Sequence, residues 1–403
     1  MKVKKMRVLF QIIFLFIYNI SQIKTEFQTF QTNILNNIFQ FTNKKLESVT
    51  QYDYKTGKIC ISPLSMYQII SLVSNGAKEK TQLEILETLT SKKNINPNIQ
   101  INLNLNNENI LKTYENNKNI SIANAILSKI PITEEFGLIS KRYKAFYSIL
   151  ESANQVNSWC EKQTNGKIKK IIENINGIEL ILLNAVYFKY DWKFPFEKES
   201  TYVNNFYNEN QTITKVEMMS KKFHSINYFQ NENLQMIELP YKDDNISMII
   251  ILPLKDKFHS IFDYLNQEKN DITKLINNLQ PRDNVIILKL PKFEFEYEVS
   301  LKDSLLNMNM KEAFSNNADF SIITKEKNLK IDDIIQKTYI KVDELGTEAA
   351  AVTGIMMVES AALIENIIHM NVDHSFIFMV RDKRIKDVNG DELMMFIGCV
   401  DNL

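Results

Sequence analysis

The chain has 403 residues, with 48 basic against 48 acidic side chains, 44% hydrophobic residues and three cysteines. That length suits two domains or one large one, and it is long enough to bury a sizeable core. Balanced charge argues against a nucleic-acid binder, which normally carries a basic patch, and three cysteines exclude a disulfide scaffold.

Enzyme signatures are missing. Cys60, Cys160 and Cys399 lie far apart with no C-x-x-C, which excludes a zinc ribbon or a redox motif. The four histidines (His224, His259, His369, His374) form no H-E-x-x-H, and neither G-x-S-x-G nor G-x-x-x-x-G-K-[ST] occurs. No catalytic residue, metal or cofactor is therefore assigned.

Lys2, Lys4, Lys5 and Arg7 precede an apolar run from Val8 to Tyr18, broken only by Gln11. A basic start before a short apolar run reads as a secretory signal peptide, here residues 1–23 with cleavage near Ser21. An uncleaved anchor is the alternative, although the run is short for a bilayer. No later segment approaches about 18 consecutive apolar residues, so residues 24–403 read as secreted, soluble and without a membrane partner. Outside the cell, Asn119-Ile-Ser121, Asn210-Gln-Thr212 and Asn245-Ile-Ser247 become candidate glycan acceptors at Asn119, Asn210 and Asn245. In a chain this rich in Asn the same triplets also arise by chance. The three cysteines read as buried small hydrophobes.

Phe27, Phe30, Ile34, Ile38 and Phe41 recur at helical spacing and predict an opening amphipathic helix. Ser62-Pro63-Leu64 starts a second helix, which ends at Gly76-Ala77. Thr81 with Glu84 predicts a capping box for a third. Residues 94–119 are Asn-rich and read as a variable connection with at most a short helix. Ser121–Ser128 predicts a buried strand, and a long helix is expected ahead of Trp159, ending near Gly166. Ile178–Lys189 is strand-like. Met236–Leu239 and Ile246–Leu252 read as a hairpin, and Val285–Leu290 with Phe293–Tyr297 as strands around Pro291. Phe376–Val380 and Met394–Val400 close the chain, with Asn389-Gly390 as a turn. No repeat or linker divides the chain, so a single large α+β domain is expected.

One segment is unusual. Glu344, Leu345, Gly346, Thr347, Glu348, Ala349, Ala350, Ala351, Val352 and Thr353 follow the β-like run Thr338–Val342. If extended, Thr347, Ala349, Ala351 and Thr353 share one face, followed by Ile355 and Met357. That face is small and nearly uncharged, which suits a strand sliding between other strands. Gly346 tolerates backbone angles other residues avoid. Spacing alone slightly favours an Ala-rich helix or loop.

The sequence also resembles the serpin family, from near Phe27 to the end. The resemblance rests on an ordered series of blocks. Ile61-Ser62-Pro63-Leu64-Ser65 with Gly76-Ala77 and Thr81 comes first, then Asn157-x-Trp159 with Thr164-x-Gly166-Lys167. Asn184-Ala185-Val186-Tyr187-Phe188, Trp192 and Glu238-Leu239-Pro240-Tyr241 follow. Leu290-Pro291-Lys292-Phe293, Ala318-Asp319-Phe320-Ser321, Asp373-His374 and Phe396-x-Gly398 complete it.

The resemblance implies a fold of three β-sheets and about nine helices with an exposed reactive-centre loop, about residues 344–372. It implies that a protease cleaves the loop and is held as an acyl-enzyme while Glu344–Thr353 leads the loop into the main sheet as a new strand. About 12 new ladder bonds at roughly 0.5–1.5 kcal/mol each would supply roughly 6–18 kcal/mol before ordering costs. Ser62, Ser65, Asn184 and Gln336 fall in the family's central shutter, where Gln336 replaces a usual His and is expected to keep bonding to Asn184 and Ser62. Trp192, Lys292 and Glu344 fall at the top of the sheet, where Glu344 is expected to pair with Lys292. Leu345 replaces a usual polar residue, Tyr190 a usual Gly and Ser375 a usual Pro.

Counting from the hinge puts the scissile bond at Ser360-Ala361; counting back from Phe376 gives Leu363-Ile364. No Lys or Arg lies between Lys341 and Arg381, so a trypsin-like enzyme lacks the cation its S1 acid requires. Elastase-, chymotrypsin- or subtilisin-like targets are expected. A cysteine protease is an alternative, and so is a non-inhibitory carrier, chaperone or storage protein. The partner is then a protease held covalently by a monomer. Lys167, Lys169 and Lys170 read as a solvated face rather than a glycosaminoglycan site.

Overall fold

A computed structural model describes residues 57–90, 92–93, 95–115, 117–254, 275–326, 329–347, 367–386 and 392–403. The signal segment, the opening helix and the Asn389-Gly390 turn lie outside the described residues. So do the hinge positions from Glu348 to Thr353 and both candidate scissile bonds.

β1 (Lys58–Ile61) leads directly into α1 (Pro63–Ser74). Ser62 caps this helix, its hydroxyl accepting from the Ser65 N–H at 3.4 Å, and Pro63 fills the first helical position where no donor is needed. Every residue of α1 is buried, as suits a helix that is apolar on most sides and enclosed between sheets.

α2 spans Glu79–Thr90, so Thr81 lies inside the helix and the expected capping box does not form. Thr81 Oγ1 instead accepts from the Asp319 N–H at 2.9 Å, and Glu84 accepts from the N–H groups of Lys311 and Glu312. Both side chains tie α2 to the 311–319 segment. The Asn-rich connection holds α3 (Ile99–Thr113), a 15-residue helix with Ile99, Leu103, Asn107 and Ile110 buried. These positions keep helical spacing, and the intervening asparagines bond to the helix and its neighbours. Asn104, for example, bonds Asn75 and accepts from the Tyr143 hydroxyl at 2.6 Å.

β2 (Ile120–Ser128), α4 (Glu134–Arg142) and β3 (Phe146–Ile149) follow. α5 (Ala153–Gln163) is capped by Ser152, carries Trp159 and ends close to the expected Gly166. β4 (Leu180–Phe188) and β5 (Tyr190–Asp191) come next, then β6 (Tyr202–Tyr207) and the long β7 (Ile213–Gln230). β8 (Leu234–Pro240) and β9 (Ile246–Pro253) form the expected antiparallel hairpin. β10 (Gln280–Pro291) and β11 (Phe293–Ser300) flank Lys292, and α6 (Lys302–Asn307) follows. β12 (Asp333–Val342), β13 (Gly346–Thr347), β14 (Ile367–Asn371), β15 (Phe376–Lys386) and β16 (Glu392–Val400) complete the described elements.

The strands form two hydrogen-bonded networks where three sheets were expected. The seven-stranded one runs β3-β2-β4-β12-β13-β5, with β11 on the far side of β12. The nine-stranded one runs β1-β16-β15-β9-β8-β7-β10-β14, with β6 on β7. Two sheets merge in the second because β7, 18 residues long, pairs with β6 and β10 along most of its length and with β8 at its end. α1 touches β2 and β4 of one network and β16 of the other, so the main core lies between them. Six α-helices occur among the described residues, against about nine expected for the fold. All three cysteines are buried and free, and burial pushes the Cys60 and Cys160 thiols up to about 12, so they are inert packing groups.

Candidate functional site

The site is a seam in the seven-stranded sheet. β4 and β12 run parallel and pair directly, from Ile181 opposite Asp333 to Tyr187 opposite Tyr339. All nine residues of β4 are buried, matching the near-continuous apolar run Leu180–Phe188. Above this stretch the seam opens. β13 lies between the two sides, with Thr347 opposite Val342 of β12 and opposite Tyr190 of β5.

At the centre of the seam, Gln336 and Asn184 stand opposite each other, both fully buried. Gln336 Nε2 donates to Asn184 Oδ1 at 2.7 Å and to the Ser62 carbonyl at 3.1 Å, while its Oε1 accepts from the Ser62 N–H at 2.8 Å. Asn184 Nδ2 donates to Asn124 Oδ1 at 2.6 Å and to the Ser65 hydroxyl. The Gln336 amide thus joins β12 to β4 and to the start of α1, and the Asn184 amide carries the link on to β2. The two-sided bonding of Gln336 is what a glutamine supplies and an apolar residue cannot.

Gln336→Leu leaves Ser62 N–H and Asn184 Oδ1 buried without this partner, at about 1–3 kcal/mol per group. A drop in the thermal midpoint of roughly 3–8 °C is expected for a domain of this size. Gln336→His, which keeps one donor and one acceptor, is expected to lose less than half as much. Calorimetry of the two variants checks this.

The top of the seam is aromatic and then ionic. Trp192 stacks on Tyr241 with centroids 4.5 Å apart, and its Nε1 donates to the Asp343 carbonyl at 3.0 Å. Tyr241 and Thr347 share a buried hydroxyl bond of 2.7 Å. Main-chain bonds from Trp192 N–H to the Leu345 carbonyl and from Phe196 N–H to the Glu344 carbonyl hold the hinge base. Gly346 is required by close approach: a Cβ there would lie 2.1 Å from the Tyr190 carbonyl oxygen and 2.7 Å from Asp191 Cα. The crowding is against backbone, so it has no cheap relief.

Glu344 lies 3.3 Å from Lys292 and accepts from the Thr201 hydroxyl at 2.9 Å. It is nearly buried, so this is not a solvated surface pair. These groups line a cleft of about 480 Å³ with Lys198, Glu217, Asp343 and Leu345. Burial raises the Glu344 carboxyl, but its own backbone N–H, Thr201 and Lys292 together outweigh burial and hold it below the ordinary carboxylate value. A depressed acid stabilises the fold above its unfolded pKa, and the stabilisation is lost as pH falls through the folded value. Hinge seating is therefore expected to persist at neutral pH and weaken below about pH 4. Trp192 fluorescence against pH reports it, and Glu344→Gln is expected to flatten that acid limb.

Tyr190 occupies the position of an expected glycine. It packs in an aromatic cluster with Phe188 and Tyr241, and its hydroxyl accepts from Asn117 Nδ2 at 2.6 Å. Ser375 and Cys399 both bond the buried Asp401 carboxylate near the C-terminus, away from the seam. Sequence reasoning missed Thr201, Asn124 and Tyr241 as partners of the seam. Tyr241 stood at the end of a quoted block, but nothing in its neighbourhood pointed across to Thr347. The sequon asparagines Asn119, Asn210 and Asn245 are all exposed. In the basic cluster, Lys170 pairs with Glu173 at 2.9 Å and Lys167 lies over the Tyr339 ring. Among the described residues, no helix is long and apolar enough to cross a membrane.

The family model for Serpin (serine protease inhibitor) matches residues 36–401. The chain is 37% identical over 235 residues to an uncharacterized serpin-like protein of Thermococcus kodakarensis, a match spanning 58% of this chain and 54% of that protein. It is 31% identical to the leukocyte elastase inhibitor of Xenopus laevis, covering 83% of this chain and 91% of that one. Among solved structures, the thermophilic serpin tengpin in its native state superposes with a TM-score of 0.77 at 28% identity, covering 94% of each chain. With its seam closed below and parted above by the hinge base between β5 and β12, and a family match over most of its length, the chain belongs to the serpins.

Proposed function

We propose that this serpin is a secreted inhibitor that traps elastase-, chymotrypsin- or subtilisin-like serine proteases by loop cleavage and strand insertion. The observation that carries the reading is the half-open seam. β4 and β12 pair directly below, while Gly346–Thr347 already separates β5 from β12 above. A strand begun there can lengthen only by parting β4 from β12 below it. Continuing the antiparallel register of Thr347 and Val342 down β12 would put Met356 opposite Asp333 at its far end. The small face of Thr347, Ala349, Ala351 and Thr353 would follow Thr347 inward. That length supports a scissile bond beyond Met357, with Ser360-Ala361 preferred over Leu363-Ile364. The loop's lack of Lys and Arg supports the target class, as does likeness to a protein named leukocyte elastase inhibitor. Secretion rests on the basic start and apolar run at the N-terminus, and exposure of the three sequon asparagines suits glycosylation.

The test is a panel of elastase, chymotrypsin, trypsin and papain mixed with the purified chain. A complex stable on denaturing gels is expected with elastase or chymotrypsin and not with trypsin. The released C-terminal peptide is expected to begin at Ala361. Clean cleavage without a complex across the panel would instead favour a carrier, chaperone or storage role.

A further inference from the structure

Asp401 is an acid buried without a cation. It follows β16, is 5% exposed, and its Oδ1 accepts from Cys399 Sγ at 2.8 Å and from the Ser375 hydroxyl. The half-buried Glu209 also bonds it through its side chain. Among the described residues, no Lys, Arg or His bonds this carboxyl. Lys58, on the strand beside β16, has its ammonium 5.9 Å from the Phe295 ring instead. Asp373 and His374, which precede Ser375, meet each other at 2.9 Å, and the second ring nitrogen of His374 lies 2.8 Å from the Pro253 carbonyl. Ionised carboxylates only accept, so a bond between Asp401 and Glu209 requires a proton on one of the two.

The same two residues join separate parts of the chain. Glu209 N–H donates to the Asp401 carbonyl at 3.1 Å, and Leu403 N–H to Asn208 Oδ1 at 2.9 Å. Asn208 N–H donates to the Thr212 carbonyl at 2.9 Å and closes the turn between β6 and β7. Residues 401–403 are thus fastened to that turn, with both acids at the point of contact.

We propose that Asp401 and Glu209 share one proton and form a pH-sensitive latch, which holds residues 401–403 on the 208–212 turn in mild acid and slackens as pH rises. Burial pushes the Asp401 carboxyl up, against the pull of its bonds to Cys399, Ser375 and Glu209. Burial and the neighbouring Asp401 hold the Cys399 thiol well above its usual range, so it stays a donor at neutral pH. A raised acid adds stability that is complete below its unfolded value, about 4, and is lost as pH climbs through the folded one. The direction is the reverse of that at Glu344, whose contribution is lost on the acid side.

The test is hydrogen exchange of the full chain between pH 4.5 and 8, corrected for the intrinsic pH dependence of exchange. Mass spectrometry of peptides spanning residues 203–212 and 394–403 reads it. In the wild type, protection of the Glu209 and Leu403 amides is expected to fall about tenfold across that range, as one unit of pKa difference requires. In Asp401→Asn and in Glu209→Gln it is expected to stay level. The thermal midpoint is expected to drop by about 2–4 °C more in the wild type than in either variant between pH 5 and 8. Should Asp401→Asn not fold, the half-buried Glu209→Gln position carries the comparison alone. The same pH dependence in the wild type and in Glu209→Gln overturns the latch.

Discussion

Replacing Thr347 by arginine is expected to convert the protein from an inhibitor into a substrate. Thr347 is fully buried, paired on both sides and bonded through its hydroxyl to Tyr241. It already sits in the seam of the native chain. An arginine there is expected to swing out to solvent before cleavage, and it then has to be buried for the rest of the strand to follow. Placing a guanidinium there without a partner costs several kcal/mol. Each 1.4 kcal/mol on the insertion barrier slows insertion about tenfold, while hydrolysis of the acyl-enzyme is untouched. The stoichiometry of inhibition is therefore expected to rise by at least about tenfold. The denaturation-resistant band gives way to cleaved chain. The native fold is expected to persist, because the pairing of β4 with β12 lies below the substitution. Thr347→Ser keeps the hydroxyl and is expected to inhibit normally. If Thr347→Arg traps protease at an unchanged stoichiometry, insertion does not require this residue to be buried.

Reversing the charge of Glu344 is expected to act before any protease arrives. In Glu344→Lys, two ammonium groups meet where an ion pair stands at 3.3 Å, and the Thr201 hydroxyl loses its acceptor. Lys292 is 28% exposed, so solvent screens part of the repulsion, leaving roughly 1–3 kcal/mol. That destabilises the hinge base where it is fixed by the Phe196 and Trp192 main-chain bonds. Loss of monomer on mild heating is expected, because an unseated hinge leaves the open top of the seam available to a strand from another molecule. Size-exclusion chromatography after incubation reads the outcome. Lys292→Glu combined with Glu344→Lys restores opposite charges and is expected to recover most of the monomer. Equal loss in the single and double variants would show that the pair has no such role.

Much of the seam was legible in the sequence because its chemistry is local. A run of eight apolar residues interrupted only by Asn184 predicts a strand buried on both faces, and Ser62-Pro63 announces a capped helix. Gln336, Asn184 and Ser62 could be placed together only through the family likeness, since 152 and 274 residues separate the pairs. Other features were hidden for physical reasons. The helix Ile99–Thr113 was masked by asparagines, whose side chains satisfy themselves on the helix and on α1 without disturbing the apolar spacing. Thr81 and Glu84 matched a capping pattern but serve a distant segment, a choice that tertiary contacts make and spacing does not reveal. The role assigned to Gly346 widened as well. It has both a positive φ of 158°, which L side chains rarely adopt, and a backbone approach that leaves room for the Tyr190 carbonyl only if no Cβ is present.

The central claim is that the seam between β4 and β12 is a slot awaiting a strand. A crystal structure of the chain cleaved within residues 357–364 tests it most directly. The account predicts that the direct pairing of Asn184 with Gln336 is gone, with the residues following Thr347 bonded as a strand to both β4 and β12. The two strands would then stand about 9.6 Å apart instead of one strand spacing of about 4.8 Å. A cleaved chain that keeps the register Ile181–Asp333 to Tyr187–Tyr339, with the loop outside the sheet, would contradict it.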